Sequence, residues 1–155
     1  LEAATTEDVA YLRVHGRATF ELAPQLQEFI ARAKEEDKKA IFVDMGPCDT
    51  VDSTFTGVIT SQSLRLQREG KSIKLFNVSP HVREIFSTLG LLGILDIVET
   101  TKHSDLPYEP MKPGRHNKIE VSRVMLDAHE TLSELNDKNA VEFKDVLSYL
   151  RKKLS

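Results

Sequence analysis

The hydrophobic pattern between residues 9 and 98 switches repeatedly between the two-residue period of a strand and the helical period of about 3.6 residues. Four short apolar runs are typical of strands, at residues 9–14, 40–45, 72–78 and 94–98. Three amphipathic stretches lie between them, at residues 23–33, 52–68 and 80–89. This β-α-β-α-β-α-β order predicts right-handed crossovers, and therefore an α/β fold with a mostly parallel central β-sheet and helices packed on it.

The C-terminal third has a different pattern. Its start is rich in proline, with Pro107, Pro110, Pro113 and Gly114 close together. Because proline blocks regular pairing, we predict a domain at residues 1–104, a linker at 105–116 and a helical hairpin at 117–155. Asn117 and Asn139 each begin an Asn-x-x-Glu sequence, which predicts a capped helix start at both positions.

The two predicted C-terminal helices carry apolar stripes that must be buried somewhere. One stripe contains Val124, Ala128 and Leu132, and the other contains Phe143 and Leu147. Three arrangements would bury them: packing on the first domain, association with a second copy as a homodimer, or docking of a partner. The sequence leaves these alternatives open.

Composition excludes several classes of protein. The formal net charge of -3 argues against a nucleic-acid binder, which would carry a strong basic excess. The longest apolar run, residues 89–95, is far shorter than a membrane span of about 20 residues. The single cysteine, Cys48, cannot form an internal disulfide, and it fits a reducing compartment. We therefore expect a cytoplasmic protein without a membrane span.

The residues that usually carry catalysis show no pattern. The five histidines are widely spaced, which argues against a metal site and predicts solvated surface histidines. Cys48 is interpreted as a small core residue. No glycine-rich phosphate loop is present, and no pair of carboxylates stands out for acid–base chemistry. We therefore expect no enzyme activity, no metal and no cofactor.

One helix start has the features of a functional site. Asp44 ends a predicted strand, and after a short loop Asp52, Ser53 and Thr54 begin the second helix. In a parallel sheet, such loops at the carboxyl ends of strands are the usual place for a site. A helix start presents unpaired amides and a partial positive charge that stabilise a phosphate. Ser53 is thus either the N-cap of the helix or a phosphate acceptor, and periodicity alone does not decide between them.

The same residues resemble the STAS family, which includes bacterial anti-sigma-factor antagonists. Members carry a strand ending in Asp and then Asp-Ser-(Ser/Thr)-Gly-Leu-Gly; here Asp44 is followed by residues 52–57, which read Asp-Ser-Thr-Phe-Thr-Gly. Residues 70–91 resemble the third strand and helix of the family. The resemblance covers roughly residues 8–100.

The resemblance implies a binding switch. In the antagonists, the serine after the aspartate is phosphorylated by a partner protein Ser/Thr kinase that doubles as an anti-sigma factor, and a phosphatase resets it. Carried over, Ser53 is the acceptor and Thr54 the second candidate. The residues expected to contact the partner are Asp44, Asp52, Thr54, Phe55, Thr56, Gly57 and Arg17.

Two departures from the family pattern affect this expectation. Phe55 and Thr56 replace the usual Gly-Leu, which predicts a bulky ring beside the acceptor that narrows kinase access or contacts a different partner. Arg17 stands where members usually have acidic residues, so it would pair with a phosphorylated Ser53 or change the charge of the partner surface. The alternative is a constitutive STAS subunit of a transport, lipid-trafficking or stress-sensing complex, without phosphorylation.

Overall fold

A computed structural model describes residues 1–99 and 105–155. The strands are β1 (Glu2–Thr5), β2 (Val9–Arg13), β3 (Gly16–Ala18), β4 (Ala40–Asp44), β5 (Cys48–Val51), β6 (Ser72–Phe76), β7 (Asp96–Val98) and β8 (Glu109–Pro110). The helices are α1 (Ala23–Glu35), α2 (Ser53–Arg68), α3 (Pro80–Thr88), α4 (Lys118–Leu135), α5 (Asp137–Glu142) and α6 (Lys144–Leu154). His103, one of the histidines expected at the surface, lies outside the described residues.

The central sheet has the strand order β7-β6-β4-β2-β1-β8. Strands β2, β4, β6 and β7 pair in parallel, whereas β1 is antiparallel to both β2 and β8. Leu12, Val43 and Leu75 lie in register across three neighbouring parallel strands, and all three are buried. The predicted α/β fold with a mostly parallel sheet is therefore confirmed.

Some short elements differ from the prediction. Strand β1 was not predicted, because its small and polar sequence Glu-Ala-Ala-Thr has no apolar period. The segment expected to be a loop after Asp44 contains β5, which forms a separate two-stranded parallel sheet with β3. Strand β6 ends at Phe76 because Asn77 adopts a left-handed backbone conformation with φ of 57°. Strand β7 begins at Asp96 because the amides of Ile94 and Leu95 both donate to Leu91 O.

The helical hairpin predicted at residues 117–155 consists of three helices rather than two, and one of its two predicted caps is wrong. Asn117 caps α4 as predicted, its Oδ1 accepting from the Glu120 amide at 2.8 Å. The next helix starts earlier than predicted, because Asn136 Oδ1 accepts from the Asn139 amide at 2.8 Å. Asn139 instead lies inside α5 and is buried, and its side chain donates to the carbonyls of Leu89 and Leu132 at 2.9 and 3.0 Å.

The proline-rich segment before α4 is attached to the first domain. Strand β8 pairs with β1 at the edge of the sheet. The Met111 amide donates to Leu1 O at 2.9 Å, and Gln25 Nε2 donates to Lys112 O at 2.7 Å. Pro110 fits this edge because proline cannot donate to a further strand. The segment therefore leads the chain from the sheet edge to the start of α4.

Of the three ways to bury the C-terminal stripes, the structure shows packing on the first domain. Helix α4 contacts α1 and α2, and α5 and α6 in turn contact α4. A close approach occurs at Gly57 of α2, where an added Cβ would lie 2.5 Å from Ala128 O and 2.7 Å from the Ala128 Cβ. Because only glycine fits this contact, α4 lies directly against the backbone of the helix that carries Ser53.

Candidate functional site

Asp44 holds together the carboxyl ends of three parallel strands. Its Oδ2 accepts from Arg13 Nε at 3.0 Å, and its Oδ1 accepts from the Gly46 amide at 2.9 Å and from Asn77 Nδ2 at 3.1 Å. The residue is only 3% exposed. Its carboxylate therefore has a structural role within the chain, and contact with a partner stays a prediction.

Asp52, not Ser53, caps helix α2. The Asp52 backbone is extended, and its Oδ1 accepts from the Phe55 amide at 2.8 Å. Its Oδ2 accepts from the Phe20 amide at 2.7 Å, which ties the cap to the loop before α1. Since Ser53 is already the first helical residue, its hydroxyl is not used for capping. The sequence leaves two roles open for Ser53, and the structure shows that the role of N-cap is wrong.

The hydroxyl of Ser53 contacts the C-terminal extension instead. Ser53 Oγ lies 2.8 Å from His129 Nε2, and His129 Nδ1 lies 2.6 Å from Met125 O on the same helix. A carbonyl oxygen only accepts, so Nδ1 carries the hydrogen, and Nε2 of the neutral ring is an acceptor. With the ring neutral, Ser53 donates to His129. The predicted phosphate acceptor is therefore hydrogen-bonded to a residue 76 positions further along the chain.

The prediction that the histidines are solvated is wrong for His129. This residue is 4% exposed, and its ring lies edge to face with that of Phe143 at a centroid distance of 5.2 Å. It is buried because it neighbours Ala128 on the face of α4 that packs on α2. No local sequence signal links Ser53 to His129, since a contact over this separation depends on how α4 docks.

The four residues after Ser53 are buried. Thr54 is 2% exposed, while Phe55 and Thr56 are fully buried and Gly57 faces Ala128. The Phe55 ring is part of the core, so it does not lie at the surface beside the acceptor as expected. This burial follows from the position of α2 between the rest of the core and α4. Contact of these residues with a partner stays a prediction.

Arg17 lies on the exposed side of the same region. It belongs to β3, whose next residue, Ala18, accepts from the Asp52 amide at 2.9 Å. Arg17 is exposed, and the adjacent hydrogen bond fixes its strand to the start of α2. Its pairing with a phosphorylated Ser53 stays a prediction.

A cleft of about 610 Å³ lies beside Ser53. Helix α3 contributes His81 and Glu84 to one wall, and the C-terminal extension contributes Lys138 and Glu142 to the other. The cleft therefore has groups of both signs, and it does not have the uniformly cationic lining of a dedicated phosphate site. Ser53 is half-buried and lines this cleft, and its hydroxyl contacts His129.

Metal binding, membrane spanning and a reactive cysteine have little support within the described residues. Among residues 1–99 and 105–155, no cluster of three or more His, Cys, Asp or Glu side chains could hold a metal ion. Within the same ranges, no helix combines the length and apolar character needed to cross a membrane. Burial raises the pKa of the Cys48 thiol, which donates to Thr50 O at 3.3 Å. Cys48 is therefore a core residue, as the sequence suggested.

Residues 1–99 match a protein-family model described as "Mlab, STAS domain". The chain belongs to the STAS domain family. An anti-sigma-B factor antagonist of Staphylococcus epidermidis is 22% identical over 102 residues, which cover 66% of this chain and 94% of the relative. The family match ends before the C-terminal helices, so the partner of Ser53 lies outside the matched region.

Two solved structures of a STAS relative have the same fold. The anti-sigma factor antagonist SpoIIAA in its unphosphorylated form superposes with a TM-score of 0.58 at 18% identity, covering 67% of this chain and 90% of that chain. The Bacillus cell fate determinant SpoIIAA in the phosphorylated form gives a TM-score of 0.55 at 19% identity, covering 67% and 93%. At these identities the likeness concerns the fold alone.

Proposed function

We propose that this protein is a non-enzymatic, cytoplasmic regulatory module of the anti-sigma-factor antagonist type. In this proposal it binds a protein Ser/Thr kinase that acts as an anti-sigma factor, and phosphorylation of Ser53 by that kinase ends the interaction until a phosphatase reverses it. The observation that carries the proposal is the position of Ser53, half-buried in the first turn of α2 with a hydroxyl that does not cap its own helix. The names of the curated relatives support the class of partner.

The helix start would tolerate a phosphate while an interface would not. Phosphorylation adds about 1.5 to 2 negative charges at neutral pH. The positive end of the α2 dipole stabilises that charge within the domain. At a contact surface next to Asp52, the same charge would repel an acidic face and would have to be desolvated. The domain would then remain folded after the partner is released.

The acceptor assignment is tested with the kinase. The full chain is incubated with an anti-sigma kinase from its own genome and ATP, and the phosphorylated residue is mapped by mass spectrometry. We expect modification at Ser53, abolished by Ser53→Ala and unaffected by Ser79→Ala, the matched serine at the start of α3. Phosphate absent from both Ser53 and Thr54 would refute the switch.

One observation favours a second function, that of a constitutive STAS subunit in a larger assembly. The Ser53 hydroxyl is already used as a donor to His129, as expected of a structural residue. Ile119, Val141 and Tyr149 on the C-terminal helices are 56%, 78% and 63% exposed, which leaves apolar side chains for a homodimer or another subunit. Capture from its own cells of a transporter subunit, equally by the wild type and by Ser53→Asp, would support this function over the switch.

A further inference from the structure

We infer that the docked C-terminal extension (residues 117–155) and a phosphorylated Ser53 exclude each other. The extension would then regulate the modification site itself, an inference whose biological meaning rests on the proposed function. It starts from the hydrogen bond between Ser53 Oγ and His129 Nε2, which joins the two parts at this site. The family match does not include this contact, since His129 lies beyond residue 99.

Phosphorylation removes the donor of that bond. The γ-phosphoryl group of ATP is transferred to Ser53 Oγ, its bond to the leaving ADP breaks, and the hydroxyl proton is lost to a base of the kinase. The Oγ of phosphoserine has no hydrogen to donate. The Nε2 lone pair of a neutral His129 would then face phosphate oxygens, and because this residue is only 4% exposed, leaving the nitrogen unpaired is costly.

A neutral His129 ring cannot offer a hydrogen to the phosphate while α4 remains docked. Its Nδ1 donates to Met125 O, so a ring flip that offered a hydrogen to the phosphate would break that bond. Phe143 packs against the ring and leaves it 4% exposed. One turn further along α2, the contact between Gly57 and Ala128 leaves no room for a further group between the two helices. Close-packed surfaces of this kind separate rather than deform.

The cleft on the other side of Ser53 does not offset these costs. Its one lysine, Lys138, and the imidazole of His81 are accompanied by the carboxylates of Glu84 and Glu142. Access is also limited, because the α5 wall of the cleft is attached to the end of α3 by Asn139, which donates to Leu89 O at 2.9 Å. A kinase must bring Ser53 into its own active site, so this wall has to move first.

Thermodynamic linkage makes the effect reciprocal. If docking of the extension lowers the equilibrium constant for phosphorylation of Ser53 by some factor, then phosphorylation lowers the equilibrium constant for docking by the same factor. A carboxylate at position 53 supplies the charge without any kinase, so the inference can be tested separately from the proposed function.

The test is amide hydrogen exchange on the full chain, comparing the wild type with Ser53→Asp and Ser53→Ala. We expect Ser53→Asp to speed exchange in residues 118–154 by about tenfold or more and to leave strands β2, β4 and β6 unchanged. Ser53→Ala should give a smaller increase, because it removes the donor without adding charge. The matched control is Ser79→Asp, which places a carboxylate at the start of α3 and keeps a good cap there.

Exchange in Ser53→Asp that is unchanged or slower in residues 118–154 would overturn the inference, whether or not a kinase modifies Ser53. Absence of phosphorylation would instead refute the proposed function and leave the exchange result intact. If Ser53→Asp does not fold, Ser53→Cys in a Cys48→Ala background provides a second measurement. In that background, adding Asn139→Ala should raise the rate at which a bulky maleimide modifies the thiol at position 53 about tenfold. If Asn139→Ala speeds exchange in α5 but leaves the modification rate unchanged, the inference is overturned.

Discussion

Helices α2 and α3 begin in similar ways but use their serines differently. Each has a half-buried serine at its start, Ser53 in α2 and Ser79 in α3. Ser79 is the N-cap of its own helix, and its Oγ accepts from the Val82 amide at 3.2 Å. Ser53 stands one position inside α2 because Asp52 is the cap, so its hydroxyl is left for His129. An aspartate cap thus makes the following serine available to a distant element or to a modifying enzyme.

The surroundings of the two helices differ as well. In α2, most residues from Thr54 to Leu66 are buried, because the helix is covered on one side by α4. In α3, only Val82 and Phe86 are buried. A change at the start of α2 should therefore affect the C-terminal extension, whereas a change at the start of α3 should remain local.

The largest expected effect comes from adding a side-chain atom at the close contact between α2 and α4. Gly57→Ala places a Cβ 2.5 Å from Ala128 O, so α4 has to shift, and we expect the free energy of unfolding to fall by about 2 to 3 kcal/mol. Gly93→Ala is the control, because an added Cβ there has nothing within 4 Å. Urea unfolding measures both variants. Equal stability of Gly57→Ala and the wild type would show that α4 is not held tightly against α2.

The two caps should differ in strength. Asp52→Ala removes acceptors for the Phe55 and Phe20 amides, and we expect a loss of about 2 kcal/mol in the free energy of unfolding. Ser79→Ala removes one longer bond and should cost about 1 kcal/mol. Thermal or urea unfolding, monitored by circular dichroism, can rank the stabilities of the two variants. A larger loss for Ser79→Ala would contradict the comparison between the two helix starts.

The smallest effect is expected at the surface contact between α2 and α4. Arg65 Nη2 lies 3.4 Å from Asp127 Oδ1, and the two side chains are 52% and 39% exposed. Exposed ion pairs contribute little, so Arg65→Ala should lower the free energy of unfolding by less than about 0.5 kcal/mol. A double-mutant cycle with Asp127→Ala measures the pair directly. A coupling above about 1 kcal/mol would mean that charge, more than packing, holds α4 in place.

Features set by local sequence could be predicted. The helical period predicts α1, α2 and α3, and the apolar runs predict β2, β4 and β6, because burial of one face dictates those patterns. Caps were predicted less well. The Asn-x-x-Glu pattern correctly predicts the cap at Asn117, but it also indicates Asn139, whereas Asn136 is the cap there. The side chain of Asn139 is used instead to contact Leu89 O, which no local pattern reveals.

The contact between Ser53 and His129 could not be predicted from local sequence in the same way. Asp52 and Ser53 were identified from the helix start, but the sequence does not show which of two adjacent polar residues takes the cap. His129 was interpreted as a surface residue because a single histidine beside an apolar stripe has no local signature. Its burial depends on the close approach of Ala128 to Gly57, which only the docked helices reveal.

The pairing of β8 with β1 has a consequence for any release of the C-terminal helices. Only residues 111–117 separate β8 from α4, and a fully extended segment of that length reaches about 23 Å. While β8 stays paired, released helices would thus be confined near their docking surface, at an effective concentration on the order of millimolar. A competing protein would have to bind this surface more tightly than the tethered helices do. Helices that undock briefly would therefore return quickly, unless a covalent change at Ser53 removed its hydrogen bond to His129.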